Sequence, residues 1–182
     1  MRTVGLVIGS LVVSAAACQT PTAAGPAPIQ VPAELAAPAG MEPVLRLDAR
    51  GTQNYRCTAG ADGAAAWKLV APEAELRRSP DAAGPVAGTH GAGPSWTLTD
   101  ESGVAGDASQ AKRAPSPEAG AIPWLLVPCK DNGHAGDLQG VTFVQRLDTH
   151  GGAAPATGCD SAHVGSEVKV PYTAVYVFLR QR

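Results

Sequence analysis

The chain has 182 residues and a formal net charge of −2, and 21 of the residues are Gly and 16 are Pro. These two types together far exceed their average usage of roughly 12 %. The balanced charge excludes a nucleic-acid footprint, the lack of heptads excludes a coiled coil, and 45 % hydrophobic residues argue against disorder throughout. The length predicts one domain of ordinary size.

The amino terminus predicts export. Met1 and Arg2 precede an apolar run at residues 4–13, and small residues close it at 14–17. Ten residues span roughly 15 Å as a helix, about half of a bilayer's hydrocarbon core, so this run is too short to cross a membrane. We therefore predict a secretory signal peptide over residues 1–17. No later segment approaches 18 consecutive apolar residues, so we expect no membrane-spanning segment after cleavage.

Two kinds of processing compete at Cys18. Residues 15–18 resemble a bacterial lipobox, in which the Cys thiol is acylated and the chain is then cleaved before it. Cleavage of the A-x-A type after Ala17 would instead leave Cys18 as an ordinary first residue. An unpaired Cys at a mature terminus has no evident structural role, which favours a lipid anchor. Because Gln19 is not an Asp, the expected location is the outer membrane, with a periplasmic or secreted protein as the alternative.

Residues 18–43 form a predicted disordered tether. Six prolines lie among Ala, Gly and Thr, with two acidic residues and no aromatic one. Such a segment buries too little apolar surface to offset its ordering entropy and samples extended states. It would separate a folded domain from a membrane.

Residues 44–182 predict one all-β domain, an antiparallel β-sandwich or a barrel-like sheet. Gly or Pro recurs every few residues, and the apolar runs between them are short. The segment 174–179 is apolar on both faces, which predicts a central buried strand. The predicted strands are residues 53–58, 65–70, 73–77, 86–90, 95–99, 104–109, 124–127, 141–147 and 174–179.

A short repeat predicts a meander of hairpins. Val86-Ala87-Gly88 recurs as Val104-Ala105-Gly106, and each copy follows a short strand and a polar turn. Two consecutive antiparallel hairpins explain this spacing. Two units are too few for a solenoid or a propeller.

Three cysteines follow Cys18, and in an oxidising compartment they predict one disulfide and one free thiol. A Cys57–Cys159 bond and a Cys129–Cys159 bond would constrain the unfolded chain by about 4–5 and about 3.5 kcal/mol, too close to choose between. Cys57–Cys159 is preferred because it joins the first strand to the last third of the domain. The absence of any C-x-x-C pair argues against a redox motif or a zinc knuckle.

Five blocks in order carry a resemblance to a known family. They are APEAEL at 71–76, GTHGAGPSW at 88–96, AIPWLL at 121–126, VQR at 144–146 and GCDSAHVGSEVKVPY at 158–172. Over about residues 50–180 the chain resembles the domain of unknown function 3455 family of exported bacterial and fungal proteins. The resemblance implies that Cys57 and Cys159 are the paired cysteines and that Cys129 is the free one. Some members carry a transferred malate dehydrogenase label, but this chain has no G-x-G-x-x-G motif for a dinucleotide.

A metal site is one hypothesis for the histidines. His90 and His163 lie in family-like blocks beside glycines, and Asp160 and Glu167 flank His163. If the fold joined them, two imidazoles and a carboxylate could hold zinc or copper and leave a position open for water. The simpler interpretation is that each His bridges its own loop through hydrogen bonds.

Aromatic residues give a second hypothesis. Trp67 and Trp96 lie on predicted strands, where an exposed ring could stack on a sugar of a cell-wall glycan. The competing interpretation is that a domain with so few aromatic residues needs them in its core. Trp124, between Pro123 and Leu125, is expected to be core.

The sequence favours an exported, lipid-anchored envelope protein whose β-domain is noncatalytic and binds a ligand or a partner, such as a cell-wall glycan or an envelope protein. One alternative is a metal-dependent extracytoplasmic enzyme that uses His90 and His163. Another is a structural surface component. No nucleic acid or dinucleotide partner is expected.

Overall fold

A computed structural model describes residues 28–78 and 84–182, and within them one 3-10 turn (Ala33–Leu35) precedes nine strands. Every pair of neighbouring strands is antiparallel. The strands are β1 (Met41–Ala59), β2 (Ala65–Arg77), β3 (Val86–Gly91), β4 (Ser95–Leu98), β5 (Gly103–Gly106), β6 (Lys112–Ala114), β7 (Trp124–Asp131), β8 (Val141–Gly151) and β9 (Glu167–Gln181).

The sheet closes on itself, which confirms the all-β prediction in its barrel-like form. The strand order is β5-β4-β3-β2-β1-β9-β8-β7-β6, and β5 also pairs with β7. Eight strands therefore form a ring, and the short β6 is attached to β7 outside it. Closure leaves few unpaired strand edges.

The predicted strands all correspond to observed ones, with three differences. The predicted strands at 65–70 and 73–77 form the single strand β2, and a register irregularity opposite Asn54 and Tyr55 lies close to the predicted break between them. The strand predicted over 104–109 ends at Gly106, because the Asp107 carboxylate accepts hydrogen bonds from Ser109 and forms a turn. Strand β6 was not predicted.

The meander and the central strand are confirmed. Strands β2, β3, β4 and β5 pair consecutively, although residues 79–83 of the first predicted turn lie outside the described residues. Strand β9 lies between β1 and β8. Its Tyr176 and Phe178 join the core inside the barrel, and Leu179 packs in a second cluster on the outer face.

The folded part begins earlier than the predicted boundary between residues 43 and 44. Leu35, with no exposed surface, packs on the outer face of the barrel against Ala114 and Trp124. The side-chain amide of Gln145 donates to the Leu35 carbonyl at 2.6 Å. Residues 28–43 are thus not a disordered tether, since Leu35 has an apolar site to fill and strand β1 begins at Met41. The predicted signal peptide, Cys18 and the rest of residues 1–27 lie outside the described residues.

The disulfide joins Cys57 to Cys159, as the resemblance implied, and Cys129 is a half-buried free thiol. The bond ties the far end of β1 to the loop between β8 and β9. The Cys57 backbone also bonds that loop, donating to Ser166 and accepting from Gly165. Over residues 28–78 and 84–182, no helix is long and apolar enough to span a membrane.

Candidate functional site

A pocket of about 370 Å³ opens at one end of the barrel, and we call it the mouth pocket. It lies between β1–β3 on one side and β7–β8 on the other, with the β3–β4 and β5–β6 connections completing its wall. Its polar side chains are Gln53, His90, Arg113 and Arg146, and its larger apolar ones are Leu69, Val70, Pro72, Pro94, Leu125 and Val127.

Strand register places these side chains together. Residues directly opposite each other on paired strands project from the same face of a sheet. His90 is opposite Trp96 on β4, and Arg146 is opposite both Leu125 on β7 and Tyr176 on β9. Because the face they share is the inner one, residues far apart in the chain meet inside the barrel.

His90 is buried, at 3 % exposure, and neutral. Its Nδ1 lies 2.8 Å from the Ser95 carbonyl oxygen, which can only accept, so Nδ1 carries the proton. Burial lowers the pKa of His90 to about 4, with a smaller lowering from the charge of Arg146, and the Ser95 bond opposes both. Nε2 is therefore left as a hydrogen-bond acceptor at the pocket.

Aromatic rings support His90 from beneath. The imidazole stacks on Trp96 with ring centroids 4.6 Å apart, and Tyr176 packs against both rings at 5.0 and 5.4 Å. The Tyr176 hydroxyl lies 3.4 Å from that of Tyr172. Burial is the main cause that raises the pKa of both tyrosines, so both are neutral donors. Packed rings of this kind make a rigid floor.

Arg146 brings a positive charge to the floor of the pocket. Its Nε and Nη2 donate to the Pro123 carbonyl at 3.0 and 2.8 Å. Among the residues that the structure describes, Arg146 makes no ion pair with an Asp or Glu. Its charge also acts on Tyr55, Tyr172 and Tyr176, where it opposes the rise in pKa that burial causes.

Gln53 contributes a donor with no internal partner. Its side chain is 1 % exposed, and its Nε2 has no partner at hydrogen-bonding geometry within the described residues, although it lies near enough to the Tyr172 hydroxyl to oppose the rise in that group's pKa. A buried N–H group left unpaired costs roughly 1–3 kcal/mol. Gln53 lines the pocket, so a group bound there can supply the missing acceptor.

The rim of the pocket is apolar and exposed. Leu69 and Val70 on β2 are 53 % and 56 % exposed, which is unusual for large aliphatic side chains. Leu69 is opposite Tyr55 and Ala71 is opposite Asn54, so Val70 is the extra residue of a bulge. Bulges occur often at barrel rims and beside sites, where they redirect side chains.

The residues of the metal hypothesis do not meet. His90 is inside the barrel, whereas His163 lies on an exposed turn with its Nδ1 2.7 Å from Asp160. Glu167 is bound to Arg56, with 2.9 Å between Oε1 and the Arg Nε. Within residues 28–78 and 84–182, no group of three or more His, Cys, Asp or Glu side chains could hold a metal ion. The hypothetical zinc or copper ligand set is therefore not assembled among the described residues.

The tryptophans occupy different environments. Trp96 is 2 % exposed beneath His90, and Trp124 is also buried, so neither presents a face on which a sugar could stack. Trp67 is half-buried and donates its Nε1–H to the Thr157 carbonyl at 3.0 Å. Of the two possible glycan contacts, the structure leaves only Trp67 partly accessible.

Sequence reasoning identified His90 but not Gln53, Arg146, Tyr172 or Tyr176 as site residues. One signal was available for Arg146. Arg146 lies two residues after Val144 on strand β8, so the two side chains project from the same face of the strand. That face therefore carries a buried valine and a cation. A charged residue on the inward face of a strand marks a functional or paired position.

Comparison with known families places the chain in one of them. The model of the family described as a protein of unknown function, DUF3455, matches residues 38–180, which include β1–β8 whole and all of β9 except Gln181. Comparison with curated proteins and with solved structures finds no match.

Proposed function

The chain belongs to the DUF3455 family, whose description names no activity. From the geometry of the mouth pocket, we propose that the protein is a noncatalytic binding protein of the cell envelope. In this proposal the mouth pocket holds a small ligand that has an apolar body and a polar head. The observation that carries it is a polar floor, with unpartnered hydrogen-bonding groups, beneath an apolar rim.

The volume and lining of the pocket fit this role. Ligand pockets typically measure roughly 300–1,000 Å³ and combine apolar walls with a few polar groups that orient the ligand. The mouth pocket, at about 370 Å³, lies near the lower end of that range. Eight-stranded barrels of this kind have an interior wide enough for side chains or one small ligand.

The floor orients a ligand and the rim buries it. At the floor, His90 offers an acceptor and Gln53 offers a donor. At the rim, Leu69 and Val70 would lose their contact with water when an apolar body covers them. Burying apolar surface contributes about 25 cal/mol per Å², which favours a compact apolar ligand.

The envelope location rests on the amino terminus. We propose that residues 1–17 direct export and that Cys18 carries the lipid anchor, on the basis of the apolar run and the lipobox-like end. The Cys57–Cys159 disulfide is consistent with an oxidising compartment.

Binding of the neutral fluorophore N-phenyl-1-naphthylamine tests the proposed pocket. The full chain is used with Cys18→Ser, so that neither lipid nor detergent competes for the dye. Ala71 lines the pocket, whereas Ala66 is exposed on the same strand and does not. We expect saturable binding with one site, weakened at least tenfold by Ala71→Trp, which fills the pocket, and unchanged by Ala66→Trp. Absence of saturable binding, or equal effects of the two substitutions, would refute the proposal.

A further inference from the structure

The charged residues that line the mouth pocket are all positive. Arg146 and Arg113 line it, and no Asp or Glu is among its lining residues in the part of the chain that the structure describes. Arg113 is exposed at the rim, where water screens its charge, but Arg146 is half-buried. The positive potential is therefore strongest at the floor.

An unpaired cation at such a position costs free energy. Moving a charge out of water is unfavourable unless a counter-charge and hydrogen bonds compensate it. Arg146 has one carbonyl acceptor, the oxygen of Pro123, which satisfies two of its five N–H groups. The guanidinium also acts on the Tyr176 hydroxyl, but no carboxylate among the described residues pairs with it, so its positive charge is available to a ligand.

Gln53 independently indicates that the bound ligand carries an anionic head group. Gln53 lines the pocket at 1 % exposure, and its unpartnered Nε2 needs an acceptor. A guanidinium and an amide N–H are both donors, and an anion with acceptor oxygens satisfies both. Among the described residues, no Asp or Glu forms an ion pair with Arg146, and none lines the pocket beside Gln53.

We infer, on the basis of the proposed function, that the mouth pocket selects a small organic carboxylate. The carboxylate group of this ligand binds Arg146 and Gln53, and its apolar body lies against Leu69, Val70 and Leu125. A carboxylate is planar and carries one charge, which suits one guanidinium. A phosphate dianion would need more donors and a second cation at the floor, where only Arg146 lies. The apolar wall requires that the carboxylate be attached to a hydrophobic body.

Three ligands that share one ring system and differ only in their head group measure the contribution of the head group to binding. In the Cys18→Ser full chain, 2-naphthoate, 2-naphthalenemethanol and 2-naphthylmethylammonium each compete against N-phenyl-1-naphthylamine. We expect 2-naphthoate to displace the dye at a concentration at least tenfold lower than the alcohol, and the ammonium compound to be the weakest. The preference should weaken as salt is raised, because it is electrostatic.

The variant Arg146→Gln then tests whether Arg146 causes the preference for the carboxylate. We expect this variant to bind naphthoate and the alcohol equally, and its urea-unfolding midpoint and circular dichroism, compared with those of the parent chain, report whether the barrel is intact. Arg113→Gln is the matched control at the rim and should change naphthoate affinity less than threefold.

The outcomes separate the two proposals. Dye binding with no preference for naphthoate, or a preference that disappears in Arg113→Gln but not in Arg146→Gln, overturns the carboxylate inference and leaves the binding pocket standing. No dye binding overturns the proposed function itself. If Arg146→Gln does not fold, the comparison of the three head groups in the chain with an intact Arg146 still decides the inference.

Discussion

His90 and Trp96 are direct cross-strand partners on β3 and β4, and their rings stack 4.6 Å apart with an interplanar angle of 12°. Stacking and burial hold the imidazole against the Ser95 carbonyl, which fixes its tautomer and keeps it neutral. The floor of the mouth pocket is thus built from one pair of residues on adjacent strands. The protonation state of His90 therefore affects the stability of the barrel.

The stability of the protein should fall in acid through His90. The unfolded chain binds a proton at His90 below a pKa of about 6.5, whereas the folded chain does so only near its lowered pKa of about 4. Stability is therefore complete above about pH 6.5 and is lost between that value and about pH 4, by up to about 1.4 kcal/mol per pH unit.

Urea unfolding at several pH values measures this slope. His90→Gln should flatten the dependence between pH 4 and 6.5, while His134→Gln, at an exposed histidine, should leave it as in the parent chain. An unchanged slope in His90→Gln would show that other groups cause the acid dependence.

Leu35 should contribute to folding stability although it precedes the first strand. It has no exposed surface and packs against Trp124 and Leu126, so Leu35→Ala leaves a cavity that costs about 2–5 kcal/mol. Val31, at 38 % exposure, is the matched control, and Val31→Ala should change stability by less than about 0.5 kcal/mol. Denaturant unfolding compares the two variants. Equal small effects would mean that residues 28–40 do not pack on the barrel in solution.

Cys18 should carry the lipid. In a Gram-negative host supplied with labelled palmitate, the full chain should incorporate label and sediment with outer membranes. Cys18→Ser should lose both properties, and Cys129→Ser should retain them because that thiol is part of the folded domain. An unlabelled protein whose mature chain begins at Cys18 would favour ordinary cleavage after Ala17.

The sequence by itself determined the features that depend on short stretches of chain. Strand positions follow from apolar runs between turn residues, and the burial of β9 follows from residues 174–179 being apolar on both faces. The Gly- and Pro-rich connections likewise indicated the meander. These features are local because backbone preference and side-chain alternation act over a few residues.

Only the tertiary structure decided that the sheet closes and what the closure encloses. The pairing of β5 with β7 joins strands that β6 separates in sequence, and no residue pattern marks it. That closure brings Gln53 from β1, His90 from β3 and Arg146 from β8 to one pocket. The same long-range packing gives Leu35 a buried site and keeps His163 away from a three-ligand group. The physical reason is that a binding site depends on distances between strands far apart in the chain, and cross-strand hydrogen bonding sets those distances only once the barrel has formed.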